Sequence, residues 1–310
     1  MTTIRLATRG SDLAITQSRG VARRIESELG IDVELVPVKT TGDRIQSQSL
    51  AKVGGKGLFV KEIEDALLHG RADLAVHSAK DLPAEAPRDL VFVAWTERAD
   101  PRDALVARER GATLAQLRSG ARVGTGSIRR RAQLLARRPD LEVVAMRGNV
   151  PTRLRKLEEE GLDAVVLACA GLDRLGLSER IDERISPDDM LPAVAQGILA
   201  LEARRGDPLA ADLAALGCPR ATASAAAERA FLSGLQGDCT TPLAALAEES
   251  AAGGLRLRSL LTNADGDRML RDEREAPTED AARAGSAAAA AILASGGDVL
   301  LASLREEAAP

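Results

Sequence analysis

Apolar positions in the first two-thirds of the chain fall into short runs separated by stretches of helical period. IRLAT, VELVPV, ADLAVHS and LVFVAW read as strands rich in Val, Leu and Ile, with helical patterns at about 12–29 and 58–69 between them. The rhythm resumes with DALVA, ARVGT, EVVAM and DAVVLA, separated by helices near 127–138 and 150–160. Strands alternating with helices of this length predict βαβ units and parallel sheets covered on both faces. A break near 97–101 divides the pattern into two α/β blocks. Beyond about Cys218 the pattern becomes an Ala-rich helix, a turn at GDCTTP, two strands (LRLRSLLTN and RMLRDER) and a last helix. That is an α+β tail with its own small core. The Ala-rich stretch 286–292 reads as helix, with Ile292 and Leu293 continuing its apolar face. No repeat of fixed period is present.

Composition narrows the function classes. A length of 310 residues suits two or three domains, and 45% hydrophobic residues supply their cores. Three Phe, one Trp and no Tyr leave few platforms for stacking bases, and a net charge of −4 argues against a general polyanion binder. Three Cys without C-x-x-C spacing and two His predict neither a disulfide framework nor a metal site. The first residues, MTTIRLATRGSD, carry no apolar leader, and no uninterrupted apolar run approaches membrane-spanning length. The expectation is a soluble, cytoplasmic protein that binds neither nucleic acid nor membrane.

Charge is uneven. Four of the six lysines (Lys52, Lys56, Lys61 and Lys80) lie within 29 residues, whereas Arg supplies positive charge nearly everywhere else. Lysine is a compact, flexible point charge and arginine a rigid fork. Residues 122–156 hold ten basic side chains against Asp140 and Glu142. In VGTGSIRRR, Ser127 reads as an N-cap after a strand and a glycine turn, which puts Arg129, Arg130 and Arg131 in the first helical turn. The macrodipole disfavours cations there, so stability alone does not explain them, and a helix N-terminus with Arg suits an anion. Successive helix positions differ by 100°, so Arg129 and Arg130 are expected in a cleft and Arg131 in solvent. Arg147 follows EVVAM, and Arg9 and Ser11 follow the first strand, all at the sheet edge where open α/β folds bind ligands.

Lys80-Asp81 follows ADLAVHS at a similar strand end. It reads either as a local ion pair or cap, or as a carboxylate in a cationic cleft that stays ionised and can stabilise a cationic intermediate or move protons. VGGKG lacks the Walker ending, because Gly57 follows Lys56, and reads as a mobile loop. His69 and His77 read as surface and local structural residues. Cys169 lies in an apolar run and reads as a buried small hydrophobe. Cys218 precedes Pro219 at a turn. Cys239 lies in QGDCTTP, where a thiol can be exposed, but nothing nearby lowers its pKa and Asp238 should raise it.

With these residues assembled, the chain resembles the porphobilinogen deaminase (hydroxymethylbilane synthase) family along nearly its whole length. The resemblance rests on LAKVGGKGLFVKE, AVHSAKDLP, ADPRDAL, VGTGSIRR, RGNVPTRL, LACAGLDRLG, LPAVAQG and the cysteine loop. It implies two periplasmic-binding-protein-like α/β lobes with parallel-rich sheets plus a small C-terminal α+β domain. Residues 1–96 and 198–217 would form lobe 1, 97–197 lobe 2, and 218–310 the domain carrying the cofactor cysteine. It further implies a monomeric transferase of tetrapyrrole biosynthesis acting on porphobilinogen. A dipyrromethane cofactor, held covalently by Cys239 through a thioether, would prime stepwise condensation of four substrate molecules with loss of ammonia. Water would then release hydroxymethylbilane.

By motif, Asp81 would be the catalytic carboxylate. Arg9, Ser11, Lys80, Ser127, Arg129, Arg130, Arg147, Arg153 and Gln196 would bind cofactor and substrate. Lys52 and Lys56 would sit in a mobile loop over the cleft. No metal is implied. The chain departs from the family's common pattern at Asp238 and Ala195, where Gly is usual, and at Thr240, Gly10 and Asp12. Of these, Asp238 bears on chemistry, since it would disfavour the thiolate and slow cofactor loading. A solute-binding protein is the competing class, and an Asp inside a cationic cleft counts against it.

Overall fold

Ser11 and Gly30 set the limits of the first helix. The Ser11 hydroxyl accepts from the Ala14 N–H at 3.3 Å, and Gly30 closes the helix at φ 67° with its N–H on the Glu26 carbonyl. This helix, α1 (Asp12–Leu29), follows β1 (Thr3–Arg9) and precedes β2 (Asp32–Val38). The computed structural model describes residues 3–40, 60–84, 87–238 and 240–307. The chain continues through α2 (Lys61–Leu68), β3 (Leu74–Ser78) and β4 (Leu90–Trp95). A second run holds β5 (Asp103–Ala107), β6 (Arg122–Thr125), α3 (Ile128–Arg137), β7 (Glu142–Ala145), α4 (Val150–Glu159), β8 (Ala164–Ala168), α5 (Cys169–Arg174) and β9 (Glu183–Arg184). The last part is β10 (Leu199–Arg204), α6 (Ala210–Ala214), α7 (Pro219–Gly234), β11 (Leu243–Ser250), β12 (Gly254–Thr262), β13 (Met269–Ala276), α8 (Ala281–Ile292) and α9 (Asp298–Glu307).

The strands form three sheets, ordered β2-β1-β3-β10-β4, β7-β6-β8-β5-β9 and β11-β12-β13. In each large sheet three strands run parallel, and an antiparallel strand enters beside them, β10 against β3 and β5 against β8. Each entering strand is the first that the chain forms after crossing between sheets, through residues 96–102 on the way out and 185–198 on the way back. The outgoing crossover is bonded to the returning chain: the Ala99 N–H donates to the Gly197 carbonyl of the second crossover at 3.2 Å, and the Thr96 N–H to the carbonyl of Leu199, where β10 begins, at 2.9 Å.

Side chains alternate across a strand, and each of the two large sheets packs apolar residues on both faces. Ile4 and Leu6 of β1 pack with Val21 and Ile25 of α1, whereas Ala7 packs with Ile63 and Leu67 of α2. In the second lobe Ala164 and Val166 of β8 meet Leu134 of α3, while Val165 and Leu167 meet Leu154 and Leu157 of α4.

The C-terminal segment corrects the sequence reading. It has three strands rather than two, because LAALAEES forms β11 and pairs with β12 from Leu243 opposite Leu261 to Ser250 opposite Gly254. Ala and Glu are poor strand formers, and tertiary pairing overrides them. The last helix is broken at Gly296 (φ 94°) into α8 and α9. Within Thr278–Glu306 an 18-residue window reaches mean hydropathy 1.7, enough to match a membrane span by length and composition. Its composition has another cause: α8 packs so closely on α7 that a side chain at Gly285 would collide with the Ala227 carbonyl oxygen. Where α7 meets β4, Phe92 and Trp95 stand 5.1 Å apart, and the Arg229 guanidinium lies 5.2 and 5.4 Å from their ring centres.

Candidate functional site

The carboxyl ends of β1, β3, β6 and β8 lie along one edge of the two sheets, and β5 and β10 begin at the same edge. Asp103 is opposite Ala168, and Leu199 is opposite Ser78. Both crossovers therefore run past the strand ends that carry Arg9, Lys80 and Ser127. Ser127 caps α3, accepting from the Arg130 N–H at 3.4 Å.

Arg129 and Arg130 do not project into solvent from that helix end. They are 4% and 5% exposed and turn onto Asp103, the first residue of β5, which is 0% exposed. Arg129 Nη1 donates to Asp103 Oδ2 at 2.7 Å and to the Leu191 carbonyl at 2.6 Å. Arg130 Nε and Nη2 both donate to Asp103 Oδ1, at 3.0 and 2.7 Å, and Nη1 reaches the Val166 carbonyl at 2.9 Å. Burial alone would raise the Asp103 pKa, but the two guanidiniums hold it far below the ordinary carboxylate range. Burial also lowers the pKa of Arg129, whose Nε is buried without a partner among the described residues. Asp103 is the acid that the sequence reading missed, and it gives these cations a stabilising partner. Its signal in the sequence was ADPRDAL, an acid opening a strand otherwise made of apolar residues.

Gln196, in the returning crossover and 1% exposed, links the lobes. Its Nε2 donates to Asp103 Oδ1 at 2.9 Å and to the Pro101 carbonyl at 2.7 Å, while its Oε1 accepts from Lys80 Nζ at 3.3 Å. Burial lowers the Lys80 ammonium to about 8, against the opposing pull of Asp81, with Arg130 lowering it further. Asp81 ends a single 3-10 turn after β3 and is exposed. It is near enough to Lys80 and Arg153 to favour the charged form of both.

Arg147 and Arg153 form an outer layer. Both are half-buried. Arg153 Nε donates to the Gly148 carbonyl at 2.8 Å, and Arg147 has no hydrogen-bond or ion-pair partner among the described residues. Burial and the fields of Arg130 and Arg147 bring Arg153 down to about 10. Gly126 keeps this layer open, because a side chain there would collide with the Met146 carbonyl oxygen and stand 3.5 Å from Arg153 Nη2. Arg9 ends β1, and Ser11 caps α1. Arg131 instead pairs with Asp265 at 2.9 Å.

Lys52, Lys56 and Cys239 lie outside the described residues. The loop flanking position 239 is organised by Asp238, whose Oδ1 accepts from the Thr240 N–H at 2.8 Å and the Thr240 hydroxyl at 2.6 Å. Asp238 thus satisfies turn donors around the cysteine. The crossovers are tied to this third segment by Glu228 of α7, which is 0% exposed. It pairs with Arg98 Nη1 at 2.6 Å and accepts from the N–H groups of Ala195 at 2.5 Å and Ala247 at 2.7 Å. Ala195 holds φ 56°, in the left-handed region that favours glycine. His77 is buried against Glu202 and His69 is exposed. Cys169 is buried, which pushes its thiol up to about 12, and Cys218 is half-exposed. No group of three or more His, Cys, Asp or Glu that could hold a metal occurs among the described residues.

A buried layer of two Arg on one Asp, with half-buried cations above it, suits a ligand carrying several carboxylates. The family "Porphobilinogen deaminase, dipyromethane cofactor binding domain" matches residues 4–212, and "Porphobilinogen deaminase, C-terminal domain" matches residues 222–294. The porphobilinogen deaminase of Syntrophotalea carbinolica is 50% identical over 303 residues, covering 97% of this chain and 96% of that one. That of Trichlorobacter lovleyi is 47% identical over 300 residues, covering 96% and 95%. Among solved structures, the methionine-binding protein MetQ is 13% identical, with a TM-score of 0.43 over 69% of this chain and 89% of that one.

Proposed function

This chain belongs to the porphobilinogen deaminase family, and on that premise we propose that it is a transferase that condenses four porphobilinogen molecules head to tail. Hydroxymethylbilane would be released at the end. The dipyrromethane cofactor, linked through Cys239, would supply the primer to which substrate is joined. The residues present suit that group, because its rings carry acetate and propionate chains and the site is lined with cations. The reading includes a monomer working in the cytoplasm on a small molecule, without nucleic acid or membrane.

The observation that carries the reading is the Lys80–Gln196–Asp103 chain of hydrogen bonds, which brings cations of both lobes to one edge. In this reading Arg129 and Arg130 form a fixed positive floor. Arg9, Ser11, Lys80, Ser127, Arg147 and Arg153 hold ring carboxylates above it. A charge-assisted contact of this kind is worth about 1.5–3 kcal/mol. Asp81 is exposed beside Lys80 and Arg153, where its carboxylate can stabilise positive charge on a pyrrole nitrogen as ammonia leaves. Lys80, with its ammonium near 8, can hold or give up a proton close to neutral pH.

The intact mass of purified protein tests the reading. It should exceed the 310-residue chain by two linked pyrrole units, and added porphobilinogen should give species spaced by one further unit. Cys239→Ser should lose both the extra mass and the activity while keeping its circular dichroism. A bare chain mass, unchanged after incubation with porphobilinogen, would overturn it.

A further inference from the structure

Away from the strand-end site, a cavity of about 800 Å³ opens where α1, the outgoing crossover, the start of β10, α5 and the start of α7 meet. Small-ligand sites span about 300–1,000 Å³. The cavity belongs to both lobes at once: Gly20, Arg23 and Arg24 come from α1 in the first, Arg174 comes from α5 in the second, and Glu97 lies in the crossover between them.

Three guanidiniums, of Arg23, Arg24 and Arg174, line it against one carboxylate, Glu97, whose field acts on Arg24, so the lining is positive on balance. Arg24 is engaged by Glu28 at 2.7 Å and by the Leu216 carbonyl at 3.1 Å. Arg23 has no hydrogen-bond or ion-pair partner among the described residues. Arg174 gives a single hydrogen bond, from Nη2 to the Gly197 carbonyl at 2.7 Å. Its neighbour Asp173 is turned away to Arg184 and Ser178. Burial accordingly lowers the pKa of Arg174, with only the field of Asp173 opposing.

Gly20 is the second, independent sign. Glycine in the middle of an 18-residue helix is unfavourable, and such a residue normally has a packing reason. Here a Cβ would meet nothing within 4 Å, so no neighbour requires its absence. What the missing side chain leaves is room along one wall of the cavity.

We propose that this cavity is a binding site for a small multivalent oxyanion, held between Arg23 of the first lobe and Arg174 of the second. Arg174 also grips the returning crossover through Gly197, so a bound anion fixes the angle between the lobes. The ligand class is set by the guanidinium donors, which take carboxylate or phosphate oxygens alike. The inference does not rest on the enzymatic reading.

Cys218 lines the same cavity and is half-exposed, which makes it a reporter. The rate of Cys218 alkylation by N-ethylmaleimide, read by peptide mass mapping of the purified holoprotein, is measured with citrate, with pyrophosphate and with chloride at matched ionic strength. Citrate or pyrophosphate should slow alkylation saturably where chloride does not, and the arm that protects names the chemistry. Arg174→Gln should weaken that protection about ten-fold or more, as loss of a charge-assisted contact requires. Gly20→Leu should fill the space and abolish it. Arg23→Gln, at an exposed position, serves if the Gly20 variant fails to fold. Equal rates in all three salts overturn the site, as does protection that persists unchanged in Arg174→Gln and in Gly20→Leu or Arg23→Gln.

Discussion

Each lobe buries a carboxylate on the antiparallel strand that enters its sheet, and the two are treated in opposite ways. Asp103 and Glu202 are both 0% exposed. Asp103 opens β5 at the site edge and receives four donor atoms, from Arg129, Arg130 and Gln196. Glu202 lies further along β10, opposite Ala75. There its Oε2 meets His77 Nε2 at 2.9 Å, and its Oε1 has no partner among the described residues. Burial, reinforced by the charge of Glu202, raises nearby Glu64 to about 7. The same topology therefore holds a fully satisfied acid at the strand-end edge and an under-satisfied one inside the other large sheet. Asp103, at the strand start, meets the Arg pair of the capped helix, whereas Glu202 lies inside its sheet beside His77.

Removing the charge from each acid should separate them. Asp103→Asn strands two buried guanidiniums and should lower unfolding free energy by about 3–5 kcal/mol, read from denaturant midpoints. A loss below about 1 kcal/mol would mean that Arg129 and Arg130 find other partners. Glu202→Gln should cost less, about 1–3 kcal/mol, and should bring the pKa of Glu64 back toward 4.5, as carboxyl NMR titration would report.

Glu64 also gives a pH test. Its folded pKa, about 7, lies above the ordinary 4.5, so the native state binds the extra proton. Its contribution to stability is complete below about pH 4.5 and is lost as pH rises through about 7. Glu64→Gln should flatten the stability profile across that window, and an unchanged slope would locate the dependence elsewhere. The smallest effect concerns the returning crossover between the lobes. Ala195→Gly should relieve a left-handed alanine and raise the melting temperature, by the equivalent of about 1 kcal/mol. No change would show that the Glu228 contact fully compensates the strain.

Much of this was legible in the sequence where a local rule and the tertiary structure agree. Helix 12–29 carries its own Ser and Gly boundaries, and the structure ends it at the same residues. The strand runs of both lobes were marked by Val, Leu and Ile. β11 was hidden because its Ala and Glu residues have no strand preference until β12 lies beside them. Asp103 was hidden for a related reason: its partners are 26 and 27 residues away, and no local pattern pairs an acid with cations at that distance. Asp81 and Lys80 were visible because they are neighbours in sequence. The position of Gln196 between Lys80 and Asp103 depends on two crossovers meeting, which only the folded chain reveals.

Trp95 gives the molecule an optical property. It is the single tryptophan of a chain without tyrosine, and it lies beneath Arg229 at the junction of β4 and α7. Ultraviolet emission from the polypeptide therefore originates at one point, between the first lobe and the segment that bears Cys239. A cation over an indole ring perturbs its excited state, so wavelength and intensity report whether Arg229 stays in place. Any event that separates that segment from the lobe should register as a change in colour, with no label attached.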